Sequence, residues 1–490
     1  MNHLWEFLKK ASETVPERIA LSDKMQSITY RQYYEEAEKV ADSIVAMGYA
    51  DAHQPVGVLA RHCALTPVYY LGILKSGNYY VPLDPEQPKE RKQMIRQSSG
   101  MKLLISEEGI QTVDVPEIHE TADAWNPYGE EDQPLYMIYT SGSTGVPKGV
   151  LKGENAMLDF IRVFSEAYPY EEHEIVGSQT PFYFDASAKD IYLSLYNMAT
   201  LEILPKELFS FPINLVHYMN EKKISLISWV PSALSMLTKL DVFSEEKPGY
   251  LKKVFFVGEV FPMKQLNRWR QALPNLKYVN LYGSSELAGV CCTYEIGQDE
   301  VFEESAVLPI GKPLPNCQVI LVQDGKRVTE PGMVGEICVA SKTLAWGYFS
   351  DREKTEKTFV RMKTDDGETA RYLRTGDMAS YDEKGNLVFA SRQDHQIKHM
   401  GHRIELGEIE TMAASVTGIE SCCCVYDQEK QKLVLFCEST LSGQEIKSVL
   451  RDKLSSYMVP GKIVVMDRLP LNANGKIDRI MLKNSLIKSR

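Results

Sequence analysis

No apolar run in this chain approaches the ~20 residues that a bilayer-spanning helix needs, so no membrane span is expected. The N-terminal Met1-Asn2-His3-Leu4-Trp5-Glu6 lacks the basic-then-apolar layout of a secretory leader, and a cytoplasmic protein is expected. No C-x-x-C pair occurs among the nine cysteines. Cys291-Cys292 and Cys422-Cys423-Cys424 are contiguous, and neighbours on a strand point to opposite faces. Such clusters make poor joint metal ligands and read as buried, reduced thiols. A net charge of −11 excludes a general nucleic-acid binder, whose affinity rests on neutralising phosphates. There is no internal repeat, no low-complexity tract and no Pro-rich or Gly/Ser linker. The G-x-x-x-x-G-K-[ST] spacing of the nucleoside-triphosphatase loop is absent too.

What is present is a soluble globular composition, 44% hydrophobic and 25% charged, over 490 residues, too long for one ordinary core. Apolar spacing predicts a helix from Tyr30 to Met47 with Gly48 as its stop, a strand at 55–60, a helix from Leu65 to Lys75, a strand at 77–83, a helix beginning at 84–88 and a strand at 102–106. The alternation recurs through 226–230 and 254–258 and predicts an α/β fold with parallel, doubly wound sheets. Residues 320–390 have short strands and Gly, Asp and Asn turns, as in a small antiparallel β-barrel. After Asp394 an α+β module of about a hundred residues follows. Expected domains are therefore 1–393, a large core, and 394–490, a small C-terminal domain.

The stretch Tyr139-Thr140-Ser141-Gly142-Ser143-Thr144-Gly145-Val146-Pro147-Lys148-Gly149 alternates hydroxyl side chains with glycines and ends in a lysine. Glycines let backbone N–H groups close on a polyanion, hydroxyls donate further bonds and the lysine adds charge, which makes a phosphate cradle. Asn280-Leu281-Tyr282-Gly283-Ser284-Ser285-Glu286 suits an adenine platform beside a magnesium carboxylate. In Tyr372-Leu373-Arg374-Thr375-Gly376-Asp377 an acid follows a glycine turn and can accept ribose hydroxyls. Ser391-Arg392-Gln393-Asp394 and the run 401–410 come next, then 470–479 with Lys476 on a glycine turn. Each has a plainer reading by itself: Tyr282 as core, Glu286 as a helix-start carboxylate, Asp377 as a turn acid, Lys476 as a solvated tail charge.

In this order, and with Ile28-Thr29-Tyr30, Leu74-Lys75-Ser76-Gly77 and Tyr80-Val81-Pro82-Leu83-Asp84 upstream, the set resembles the ANL superfamily of adenylate-forming enzymes. Within it, the chain is similar to the amino-acid adenylation domains of nonribosomal peptide synthesis and to D-alanine–carrier protein ligases. The resemblance covers nearly the whole chain. It implies that a carboxylate is activated with Mg-ATP to an acyl-AMP and pyrophosphate, then passed to a thiol. The implied ATP site is Thr140, Ser141, Gly142, Ser143, Thr144, Gly145 and Lys148 on the phosphates, with Asn280, Tyr282, Gly283, Ser285, Asp377, Arg392 and Lys476. Glu286 would hold Mg2+, Asp377 the ribose, and the catalytic group would be Lys476 with Glu286 and Thr140. The C-terminal domain would swing about a hinge at Asp394. Two departures stand out: Ser284-Ser285 replaces the usual Pro-Thr, and Ser391 replaces a glycine before Arg392.

On the same resemblance, Asp185 in the segment 182–192 pairs with the α-ammonium of an amino acid. A carboxylate buried in a pocket without a cationic partner is costly, which argues the same way, whereas the plainer reading is a carboxylate opening the next helix. The other implied pocket positions are Ala186, Lys189, Ser228, Phe255, Val257, Gly258, Leu281, Gly289 and Val290. Lys189 either faces a polar substrate group or snorkels outward and leaves an apolar cavity. Val257-Gly258-Glu259-Val260 also looks like the D-alanine ligases, while Ala186 and Val257 speak against them. With no carrier domain after Arg490, a phosphopantetheinylated carrier protein acting in trans is the expected partner. The rival readings are an acyl-CoA or aryl-acid ligase of the same superfamily and a non-catalytic adenylate sensor. The Lys476→Ala variant is expected to lose adenylate formation, measured as ATP–pyrophosphate exchange, while keeping its fold; exchange at the wild-type rate would remove Lys476 from catalysis.

Overall fold

The computed structural model describes residues 1–115, 121–129, 132–140, 147–363, 367–393, 396–428, 430–470 and 477–488. The chain divides into two compact units. One comprises Met1–Leu83, Ser99–Ile138 and Gly149–Gln393; the other comprises Asp84–Ser98, Tyr139–Lys148 and Asp394–Arg490.

In the first unit, local signals set the elements. Helix Tyr30–Ala46 opens on a reciprocal cap in which the Gln32 N–H donates to Thr29 Oγ1 at 3.3 Å and the Thr29 N–H donates to Gln32 Oε1 at 2.9 Å. Its buried stripe is Tyr30, Tyr33, Ala37, Ala41 and Ile44, and Gly48 at φ +90° takes the left-handed turn after it. A nine-stranded sheet has six neighbouring parallel strands: Lys277–Tyr282, Lys253–Val257, Leu226–Trp229, Ile175–Ser178, Thr200–Ile203 and Ile19–Ser22. Antiparallel strands Cys292–Glu295 and Ser27–Thr29 flank that set. A seven-stranded sheet contains Pro55–Leu59, Tyr79–Leu83 and Leu103–Ser106 in parallel, together with Pro134–Thr140 and Lys148–Gly153. Both sheets are of the kind that strand–helix alternation dictates, and their strands are buried along most of their length.

Residues 317–392 form a six-stranded antiparallel sheet running through Lys326–Val328, Cys317–Gln323, Gly335–Ser341, Thr369–Tyr381 and Phe359–Lys363, with Leu387–Arg392 paired to Thr369–Tyr381. Among the described residues no pairing joins its two edge strands into the expected barrel. The segment 84–88 precedes its helix, which runs Lys89–Ser99, because prolines 85 and 88 remove N–H donors from that turn.

The second unit carries a three-stranded sheet, Ile419–Asp427 antiparallel to Lys432–Ser439 and Lys462–Val465 parallel to it. Helices Leu406–Ala414 and Gly443–Lys453 pack their buried Leu406, Ile409, Ile446 and Leu450 into its core. Arg91 and Glu408 form a buried ion pair within this unit. A tight hairpin, Gln396–His399 with His402–Glu405, turns through Met400 and Gly401, both at positive φ. All nine cysteines are free thiols, and burial pushes Cys422 up to about 12 and Cys423 to about 11. Among the described residues no helix is long and apolar enough to cross a membrane.

The second core cluster of the first unit rests on Trp269, which is fully buried, donates from its indole to the Leu234 carbonyl at 2.9 Å and meets Phe243 edge-on at 4.7 Å. Trp269→Ala is expected to cost about 3–5 kcal/mol, read as a drop in the denaturant midpoint; a midpoint within error of wild type would show that this cluster is not a stability determinant.

Candidate active site

Asp185 is the first residue of helix Asp185–Tyr196, yet its side chain caps no backbone group of that helix. Its Oδ1 accepts instead from Lys152 Nζ at 2.5 Å and from the Tyr136 hydroxyl at 2.8 Å. Lys152 projects from strand Lys148–Gly153, is fully buried, donates to the Leu287 carbonyl as well, and lies 5.3 Å from the centre of the Tyr136 ring. Burial pushes the Asp185 carboxyl above its usual range and the Lys152 ammonium below its own, while each partner opposes the other's shift. Contrary to the expectation that Asp185 lacks a cationic partner within the chain, Lys152 is that partner. Sequence reasoning missed it. The signal was a single lysine in the apolar strand run Gly149-Val150-Leu151-Lys152-Gly153.

Tyr136 is held by aromatic packing. Its ring lies 5.3 Å from Tyr80, which stacks on Tyr70 at 3.8 Å, and the Tyr192 hydroxyl donates to that of Tyr80 at 3.0 Å. Strand register sets where the other pocket candidates sit. Ser228 sits beside Phe255, and Val257 beside Leu281, on neighbouring parallel strands. Side chains alternate along a strand, so Phe255 and Val257 share one face, while Trp229 and Phe256 fill the second core on the other. Phe255 meets Phe164 and Tyr168 edge-on at 5.7 and 5.5 Å. Lys189 does not snorkel outward. It is buried, ion-paired to Asp190, and donates to Ser228 Oγ at 2.6 Å, because Asp190 and Ser228 together satisfy its charge inside. Ala186 is half-buried in the first turn of the Asp185 helix, and Gly258 follows strand Lys253–Val257 at φ +98°.

Two of the nucleotide candidates, Tyr282 and Arg392, meet at a second carboxylate. Asp377 is buried; its Oδ2 accepts from the Tyr282 hydroxyl at 2.6 Å and its Oδ1 from Arg392 at 2.6 Å. The pairing of Asp377 with Arg392 across the antiparallel sheet puts them together. Burial, then Asp377, holds the Tyr282 phenol well above its ordinary range, so Tyr282 is the donor. Glu286 is buried, and its Oε1 accepts from the Tyr348 hydroxyl at 2.5 Å. Ser284 Oγ is buried with no partner among the described residues. Asn280 is committed to the fold through its amide, which donates to the Pro309 carbonyl at 2.8 Å. Thr140 closes strand Pro134–Thr140 and Lys148 opens Lys148–Gly153. Ser141, Gly142, Ser143, Thr144, Gly145, Asp394 and Lys476 lie outside the described residues.

Two glycines here are required by space. A Cβ on Gly283 would stand 2.6 Å from the Gly289 carbonyl oxygen and 2.9 Å from Val290 Cα. One on Gly289, itself at φ +70°, would stand 2.4 Å from the buried Phe160 ring. The two segments carrying Ser285, Glu286, Gly289 and Val290 are thereby held against each other, backbone to backbone. Among the described residues no cluster of three or more His, Cys, Asp or Glu could hold a metal ion. The residues do fit magnesium of the kind held by one carboxylate plus phosphate oxygens, with Glu286 as that carboxylate and the unpartnered Ser284 hydroxyl two residues before it.

Parallel sheets with a buried Lys152–Asp185 pair and a Tyr282–Asp377–Arg392 cluster agree with the comparisons, which define the class. The AMP-binding enzyme family model matches residues 8–349, and the model of its C-terminal domain matches residues 408–476. The chain belongs to the AMP-binding enzyme family and is an AMP-forming ligase. It is 32% identical over 489 residues to zwittermicin A synthase ZmaJ of Bacillus cereus, covering 95% of this chain and 92% of that protein. It is 30% identical over 501 residues to a D-alanine–D-alanyl carrier protein ligase of Bacillus cereus (strain G9842), covering 97% and 98%. A linear gramicidin synthase protein of Brevibacillus parabrevis is also 30% identical over 97% of this chain, which spans 9% of its length. The crystal structure of IdnL1 superposes with a TM-score of 0.80 at 27% identity, covering 96% of this chain and 99% of that one.

Gly283→Ala is expected to force these segments apart at a cost of about 1–3 kcal/mol. Pyrophosphate exchange should fall at least about tenfold with the fold retained by circular dichroism; unchanged exchange would show that the Gly283–Gly289 approach does not shape the site.

Proposed function

We propose that the chain activates an amino acid. A carboxylate oxygen of the amino acid bonds to the α-phosphorus of ATP, the bond to the β-phosphate oxygen breaks, and pyrophosphate leaves with the electron pair. A thiol sulfur then bonds to the carbonyl carbon and AMP departs. The thiol is the phosphopantetheine arm of a separate carrier protein in the cytoplasm. Support comes from the family, from the carrier protein ligase among the relatives, and above all from Asp185. That carboxylate is left with one oxygen tied to Lys152 and Tyr136 and the other open to a substrate group.

In this reading Asp377, steadied by Tyr282 and Arg392, accepts the ribose hydroxyls, and the 140–148 segment embraces the departing phosphates. Carboxylates carry lone pairs beyond those that Tyr282 and Arg392 use. Glu286 would hold Mg2+, which when bound supplies charge neutralisation to phosphate oxygens. Lys476, on the domain 394–490, stabilises the charge that develops as carboxylate and phosphate meet. After the swing at Asp394, the run 401–405 serves the thiol step. Lys152 favours a second reading, an acyl or aryl acid ligase of the same family, because it provides Asp185 with a cation whether or not the substrate has one.

Pyrophosphate exchange across both enantiomers of the amino acids and across fatty and aryl acids separates the two. Exchange with an amino acid is expected, and silence with all of them would reject the first reading. Asp185→Ala should raise the amino-acid KM by about tenfold or more while moving kcat less, the pattern of a lost binding contact.

A further inference from the structure

We propose that Lys152 is a specificity-determining residue: by neutralising Asp185 it lets the enzyme adenylate α-hydroxy acids alongside the α-amino acids of the same side chain. The inference rests on the adenylation reading above.

The geometry around Asp185 carries it. Oδ1 takes both the Lys152 ammonium and the Tyr136 hydroxyl, and no donor among the described residues reaches Oδ2. The Asp185 side chain keeps 13% exposure against 0% for Lys152, so of the two only the carboxylate can be met by a substrate. Lys152 spends its remaining contacts on the Leu287 carbonyl and the Tyr136 ring face. With no water to answer its charge, its counter-charge is Asp185.

The charged and titratable groups that face Asp185 are Lys152 from strand Lys148–Gly153, Tyr136 from Pro134–Thr140 and, farther off, Glu286. An arriving α-ammonium therefore meets a carboxylate that is already paired and a like charge on the far side of it. An α-hydroxyl donates to Oδ2 without that repulsion and needs no counter-ion. A lone buried carboxylate would favour the ammonium strongly, since it would otherwise remain unpaired. The built-in lysine removes most of that preference. The reaction is unchanged: the carboxylate oxygen of the hydroxy acid bonds to the α-phosphorus, pyrophosphate leaves, and the thiol later displaces AMP.

The test is pyrophosphate exchange on matched pairs, such as alanine with lactate, leucine with 2-hydroxyisocaproate and phenylalanine with 3-phenyllactate, in both enantiomers. For the accepted side chain, the wild-type enzyme should show kcat/KM values within about tenfold of each other for the two acids. Lys152→Met keeps the length and apolar stem but removes the charge. It should shift the ratio at least about tenfold toward the amino acid, mostly through KM. Its amino-acid KM should also climb as pH falls, because burial raises the Asp185 carboxyl and Lys152 opposes that rise; protonated Asp185 cannot hold an ammonium. Lys152→Arg should keep the wild-type ratio. An amino acid that is accepted while its hydroxy partner stays at background would overturn the inference, as would an unchanged ratio in folded Lys152→Met. Should that variant fail to fold, the wild-type ratio decides alone. Silence with every acid of both kinds would reject the adenylation reading, and this inference with it.

Discussion

A lysine with no access to water and a carboxylate that keeps slight exposure hold each other in place, and the tyrosines around them are arranged on that bond. Removing one partner of such a buried pair costs about 3–5 kcal/mol, because the survivor keeps its charge without compensation. The pair explains why so many tyrosines are buried nearby. Tyr136 gives its hydroxyl to Asp185 and its ring face to Lys152, and the Tyr70–Tyr80 stack fixes where that ring can be. The Lys152 bond to the Leu287 carbonyl then reaches the residue after Glu286, so Asp185 and the segment carrying Glu286 share one buried cation.

The remaining groups follow from the ends of parallel strands. Tyr282 closes Lys277–Tyr282, and Gly283 to Glu286 emerge beyond it; Val257 closes Lys253–Val257 and Gly258 follows. In open α/β sheets the carboxyl ends of the strands are where ligands are met, since the chain there is free to turn and present side chains. Asp377 comes from a different sheet and still joins Tyr282, a side-chain tie between the antiparallel sheet and the parallel one beside the backbone bonds of Leu387 to Ile310 and Gly311.

Much of this was legible in the sequence, and the limits have physical causes. The helices at Tyr30 and Leu65, and the strands at Pro55, Leu226 and Lys432, follow from periodicity, caps and glycine stops, all of which are local. Asp185 and Asp377 could be singled out because their motifs are compact. Lys152 could not, because its meaning comes from Asp185, 33 positions away, and from Leu287, 135 positions away. The orientation of Lys189 was undecidable from spacing, since it depends on Asp190 and on Ser228 across the sheet. Whether strands 317–392 close on themselves is equally a question of pairing between distant edges, which turn chemistry does not determine.

The thiols, set aside at the outset as inert, acquire a use from their burial. Only a thiolate attacks an alkylating agent, and burial holds Cys317 and Cys338 in the first unit up at about 12 and Cys424 in the second well above its ordinary range. In the folded chain such thiols are slowed, and local opening of their surroundings speeds them. The native chain thus carries two independent sets of opening reporters, one per unit, with no label added and no residue changed. Alkylation rates mapped by cysteine would give the opening free energy of each unit separately, in the presence or absence of nucleotide.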